Sequence, residues 1–145
     1  LFLGSELGKP VPLWESAYLE PALGAPGWVA VQVEQEYAAA GLVPLPGQAP
    51  DHAAVELEFL SFLCGQEAEA WDTGLVARGL EAVRRQQRFL ERHLCRWLPA
   101  LAQAVAARNG RGLYAAATRA AWALAAHDVD LLGTLASHMA VEAAL

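Results

Sequence analysis

Within PDHAAVELEFLSFL (residues 50–63) the apolar residues Val55, Phe59, Phe62 and Leu63 recur at spacings of four, three and one, which places them on one face of a helix. Pro50 and Asp51 stand directly ahead of that stripe. Asp51 is a favourable N-cap, because its carboxylate can accept free amide protons of the first turn and faces the positive end of the helix dipole. The helix is therefore predicted to begin at His52. In that register Glu56 turns toward another face, so the apolar side packs and the acids stay available, with Asp51 and His52 at the helix mouth.

The same patterning divides the rest of the chain. Leu1 to Gly27 carries Pro or Gly every few residues and no sustained period, which predicts a long loop covering the core. Trp14 and Tyr18 are four apart and share a face of any short helical turn around Glu15 and Ser16, as core plugs or as groove walls. WVAVQVEQEYAAAG, from Trp28, becomes Ala-rich and stops at Gly41, a good C-terminal cap, and reads as a helix. GQEAEAWDTG is a polar break after the central helix. Beyond it Val76, Leu80, Val83, Leu90, Leu94, Trp97 and Leu101 form a long stripe interrupted at Gln87, the pattern of a bundle helix. Pro99 is expected to end or kink that helix and to open another through Arg108. NGRG marks a turn, LYAAATRAAWALAAH a further helix, and Asp128 the start of a weaker final segment containing Gly133. The expectation is an all-α, single-domain helical bundle of about five or six helices over residues 1–145, with a long Pro/Gly-rich N-terminal loop.

Composition supports this class. At 145 residues and 55% hydrophobic content the chain is long enough to bury about two-thirds of its unfolded surface in one core. Its apolar stretches fall short of the roughly 20 residues that span a bilayer, and Arg119 interrupts the most Ala-rich of them. No membrane insertion is expected. No signal peptide is visible, and the chain opens at Leu1 without a methionine, which leaves room for a preceding segment. Cys64 and Cys95 are far apart within apolar helical patterns, so they read as buried thiols of a reducing compartment and form neither a redox pair nor a zinc quartet.

The net charge of −6 hides an asymmetry: residues 1–72 hold eleven acids and one base, and residues 73–145 hold five acids and nine bases. The acidic half is a poor partner for nucleic acid and a suitable one for a basic peptide, and pairing between the two halves is the plainer use of the split.

Catalytic signatures are sparse. The sequence has no Gly-rich phosphate loop, HExxH, GxSxG or kinase signature. His52 and Glu56 are one turn apart and Asp51 could add an oxygen, a weak basis for a metal- or nucleotide-dependent hydrolase. His93 reads as a satisfied interhelical histidine and His127 with Asp128 as a solvated helix junction. The five tryptophans suggest packing first and recognition second. A structural helical subunit is a third reading.

Four stretches, in order, resemble the TorD/DmsD/NarJ family of redox-enzyme maturation chaperones. PDHAAVELEFLSFL resembles the family's PDH-x-x-x-E-L-x-F signature, LFLG at Leu1 to Gly4 the end of its aromatic-x-x-LF-x-G element, PLWESAYL at Pro12 to Leu19 its P-x-x-S-V-aromatic-L loop, and QRFLERHLCRWLP from Gln87 its Q-x-F-L-x-x-H-L-x-x-W-x-P helix. Ala17 replaces the usual valine, Gln48 stands near the place of a frequent glutamate, and the family's leading helices are not among these residues. The resemblance implies a cytoplasmic, all-helical assembly chaperone and not an enzyme. Such a chaperone binds the twin-arginine signal peptide and the apo catalytic subunit of a molybdenum-containing oxidoreductase, assists cofactor insertion and prevents premature export. It implies no cofactor or metal of its own and leaves a homodimer or domain swap open. Asp51 and His52 carry over by direct match, and the expected peptide site adds Trp14, Ser16, Tyr18, Glu56 and Glu58. Guanidinium groups need fixed carboxylates and the apolar part of a signal peptide needs a hydrophobic groove.

Overall fold

A computed structural model of the chain describes residues 10–24 and 27–142, so the LFLG stretch lies outside the described residues. Its helices are α1 (Ser16–Leu23), α2 (Trp28–Ala39), α3 (Ala53–Asp72), α4 (Val76–Phe89), α5 (Cys95–Asn109) and α6 (Leu113–Glu142), with a π-helical turn over Leu90–Leu94 joining α4 to α5. No strand is present among the described residues. The all-α bundle expected from the sequence is the architecture found.

α3 packs on α4, α4 and α5 on α6, and α1 bridges α2 and α5. At the centre Phe59 meets Tyr37 and Phe89 at ring-centroid distances of 4.7 and 4.8 Å, so α2, α3 and α4 share one aromatic layer. Val83, Leu90, Leu94, Trp97 and Leu101 of the predicted stripe are buried, whereas Val76 at its start is 54% exposed. Gly41 ends α2 as expected: at φ 79° it lets Leu42 N–H reach back to Tyr37 C=O at 2.9 Å. Gly74 closes α3 by the same geometry, with Leu75 N–H donating to Ala70 C=O at 2.8 Å.

Five expectations are corrected. The N-terminal segment is not loop throughout, since Ser16–Leu23 forms α1 despite an internal Pro21; Tyr18 and Leu19 pack on the core and offset the amide that proline lacks. GQEAEAWDTG is not a break, because α3 continues to Asp72. There Glu67 joins α3 to α4, accepting from Gln86 Nε2 at 2.7 Å, while Trp71 Nε1 of α3 itself donates to Glu67 Oε1 at 2.9 Å; the Cys64 thiol makes a second link, donating to Gln86 Oε1 at 3.3 Å. Pro99 does not end its helix, which runs on to Asn109; the irregularity is the π turn ahead of it, where Cys95 N–H reaches Leu90 C=O. α6 passes through Asp128 and Gly133 unbroken, so His127 and Asp128 sit within a helix, exposed. Gly133 serves close approach there, since a Cβ would lie 3.2 Å from Gln87 Nε2. Finally, the two thiols are unpaired but not buried: Cys64 is exposed and Cys95 half-buried.

The charge split is used in part within the fold. Arg92 of the π turn pairs with Glu36 of α2 at 3.4 Å, and His93 meets Glu15, so contacts cross between the acidic and basic halves. No helix among the described residues is long and apolar enough to cross a membrane.

Candidate functional site

The PLWES stretch and the PDH corner are joined by backbone. Residues ahead of α1 run extended beside the start of α3 and form an antiparallel bridge between Trp14 and His52. Glu15 N–H donates to Asp51 C=O and Ala53 N–H donates to Leu13 C=O, both at 2.9 Å. The Asp51 carboxylate accepts the Ser16 N–H at 3.0 Å. Asp51 is therefore not the N-cap of α3; it lies buried and satisfies the first amide of α1, a carboxylate at a helix N-terminus in another place than predicted. The N-cap is His52, with extended backbone and Nδ1 accepting Ala54 N–H at 3.2 Å. In neutral imidazole that bond leaves the ring proton on Nε2.

At this corner the rings that reach solvent are Trp14 and His52, edge to face at 5.9 Å and 80°. Trp14 is 43% exposed and Leu13 beside it 40%. Tyr18 sits one layer below: its hydroxyl donates to Pro12 C=O at 2.9 Å and its ring stacks on Trp97 at 5.6 Å, with burial raising its phenol above the ordinary range. Of the two roles open to the aromatic pair, Trp14 lines the surface and Tyr18 plugs the core edge.

Beneath the rim lies a buried polar cluster that the sequence did not reveal. Glu15, Asp51, Glu56 and His93 are each less than 5% exposed. His93 Nδ1 and Glu15 Oε2 are 2.9 Å apart. Trp97 Nε1 donates to Glu56 Oε2 at 3.1 Å, while Glu56 Oε1 has no partner. Burial first, and then the neighbouring Glu15 carboxylate, push Glu56 up to about 10, so at neutral pH it carries a proton. The expectation that Glu56 stays available is corrected: it shares the inward stripe with Phe59 and Leu63, three and seven residues on. Tyr37 completes the floor, donating to Pro50 C=O at 2.7 Å, its phenol raised by burial and by the surrounding carboxyls.

Of the seven predicted site residues, Trp14, Ser16, Asp51 and His52 come together at one corner, Tyr18 and Glu56 underlie it, and Glu58 stands exposed on another face of α3. Asp51, His52 and Glu56 do not converge on a common point for hydrolytic chemistry; each is engaged with a different partner. Among the described residues no group of three or more His, Cys, Asp or Glu is placed to hold a metal. His93 is the satisfied interhelical histidine expected. Its pairing with Glu15 was missed, because nothing in the sequence connects residues 78 apart. The only signal was the four-residue spacing of His93 and Trp97, which puts both donors on one helix face.

Known proteins match this chain along most of its length. Residues 1–103 match the profile of the family described as nitrate reductase delta subunit. The chain is 31% identical over 128 residues to the chaperone protein TorD of Vibrio cholerae serotype O1, covering 88% of this chain and 49% of that protein. It is 53% identical over 51 residues to the selenate reductase assembly chaperone protein of Thauera selenatis, and 48% identical over 50 residues to the chlorate reductase assembly chaperone protein of Ideonella dechloratans. Each of these two matches covers 34% of this chain and 25% of the relative. The chain thus spans about half the length of the Vibrio protein and a smaller share of the other two. No solved structure matches it significantly.

Proposed function

The chain belongs to the nitrate reductase delta subunit family, the TorD/NarJ group, and from that premise we propose that it is an assembly chaperone for a molybdenum-containing oxidoreductase. Acting in the cytoplasm, it receives the enzyme's twin-arginine signal peptide at the Trp14–His52 rim and holds the apo catalytic subunit until its cofactor is inserted. The relatives' names as TorD and as reductase assembly chaperones support the chaperone role.

The observation that carries the peptide reading is the bridge between Trp14 and His52. It brings the two family-like stretches together as one surface with half-exposed aromatic rings, apolar Leu13 at its side and an imidazole donor at its edge. An indole face attracts guanidinium groups through its quadrupole, and the apolar side chains suit the hydrophobic part of a signal peptide. Asp51 and Glu56 support this surface from below and do not touch the peptide, whereas the exposed acids of residues 1–72, Glu58 among them, draw a basic peptide in.

The test is recovery of the bound polypeptide from the native host. Mass spectrometry of material copurified with the chain is expected to find a molybdoenzyme catalytic subunit with its twin-arginine leader uncleaved. Recovery of the same subunit only in its mature, leaderless form would contradict the peptide reading.

A further inference from the structure

The Trp14–His52 rim stands on a short segment held by a few contacts that can be named. Ahead of α1, Leu13 and Trp14 expose 40% and 43% of their surface, so their burial contributes little to fixing the backbone. What fixes it is Val11 packed on the core, the Tyr18 hydroxyl bonded to Pro12 C=O at 2.9 Å, a short run of hydrogen bonds to Asp51 and Ala53 and, at the bridge itself, one side chain that turns inward, Glu15. Glu15 lies between Trp14 and Ser16, is 1% exposed, and meets His93 of the π turn at 2.9 Å.

We infer that the buried Glu15–His93 pair is a positioning device for the rim, setting the register of Trp14 against His52 from directly beneath it. This rests on the peptide-binding reading of the rim. The pair is a side-chain tether at the middle of the bridge, and both members are buried, so breaking it removes a hydrogen bond from an environment where water does not replace it. The π turn explains how the tether is supplied. One extra residue in the ring shifts the helix face by about 100° relative to α4, and the face after that shift carries His93 and Trp97 inward together. Those side chains engage Glu15 and Glu56 respectively, so one helix face holds both carboxyls beneath the rim. Phe89 packs against the His93 ring at 4.9 Å and limits its freedom to turn away.

A role in general stability and a role in positioning are separated by reading the rim without any peptide. Native-state amide exchange followed by NMR reports Glu15, Ser16 and Ala53, the donors along the bridge, beside core amides of α4 and α5. His93→Phe keeps the ring packing and removes the bond; Glu15→Ala removes the same bond from the peripheral side, which keeps the test open if the first variant does not fold. Loss of a buried hydrogen bond is worth about tenfold or more in local opening, so bridge amides are expected to exchange about tenfold faster than core amides do relative to wild type. His93→Asn, whose amide nitrogen stands where Nδ1 stood, is expected to restore bridge protection. Affinity for a synthetic twin-arginine peptide should fall about tenfold with the bond and return with Asn. Unchanged bridge exchange, or acceleration equal at bridge and core, would overturn the inference. If wild type does not bind the peptide at all, the functional reading falls, while the exchange pattern still decides whether Glu15 and His93 position the rim.

Discussion

Glu56→Gln should remove a fall of stability with rising pH that wild type shows. In the folded chain burial and Glu15 raise Glu56 from 4.5 to about 10. Between those values the folded chain holds a proton that the unfolded chain has released. Stability from this group is therefore complete below about pH 4.5 and is lost as pH rises toward about 10, with a limiting slope of about 1.4 kcal/mol per pH unit. Gln has nearly the same shape, keeps an oxygen to accept the Trp97 N–H, and cannot ionise. From about pH 6 to about pH 8, wild type is expected to lose roughly 3 kcal/mol more than the variant, within a domain whose whole stability is about 5–15 kcal/mol. Urea unfolding followed by far-UV circular dichroism across that range, with equal denaturant slopes in both proteins, measures the difference. Parallel pH dependences would refute the claim that Glu56 is held as a neutral acid.

Trp97→Ala should destabilise by about 3–5 kcal/mol, because the indole is fully buried, stacked on Tyr18 and bonded to Glu56; a loss below about 1 kcal/mol in urea unfolding would contradict its place in the core. Trp97→Phe should cost about 1–3 kcal/mol by removing the donor to a buried carboxyl. Gly79→Ala would put a Cβ 2.4 Å from the Trp71 ring and displace the Trp71–Glu67 bond, so a loss of about 1–3 kcal/mol by thermal or chemical melt is expected and a neutral result would show that α3 and α4 are less closely apposed. Association with a basic peptide in stopped flow should slow as salt shortens the Debye length from about 30 Å at 0.01 M to about 8 Å at 0.15 M. Glu58→Gln should weaken that dependence without lowering the melting temperature, and a salt-insensitive wild-type rate would refute steering.

What the sequence conveyed was periodic and local. The Phe59 and Leu63 face, the stop at Gly41 and the burial of Leu90, Leu94, Trp97 and Leu101 follow from spacing and turn chemistry alone. What it concealed depended on contacts between distant residues. Asp51 had the chemistry of an N-cap, but α1, 35 residues earlier, takes its carboxylate and His52 takes over as cap. The register drawn from Val55 turned Glu56 toward another face, although it stands three and seven residues ahead of Phe59 and Leu63; only the Trp97 donor and the neighbouring Glu15 make a buried, protonated carboxyl intelligible. The π turn leaves the 3–4 stripe intact on either side, so its shift in register was invisible. Gly133 lowers helix propensity by about 1 kcal/mol, but close packing against Gln87 outweighs it.

The central claim, that the bridged corner of PLWES and PDH receives a twin-arginine signal peptide, is tested most directly by titration calorimetry with a synthetic peptide and with the same peptide carrying Ala-Ala in place of the arginine pair. Wild type is expected to bind the first and to lose most of that affinity for the second. His52→Ala and Trp14→Ala should each weaken binding about tenfold, as loss of one half-exposed ring contact would, while circular dichroism shows helicity nearly unchanged. Asp51→Asn, which keeps an oxygen for the Ser16 N–H, should weaken binding less than either. Equal affinity for both peptides, or full affinity in the Trp14 and His52 variants, would contradict the account.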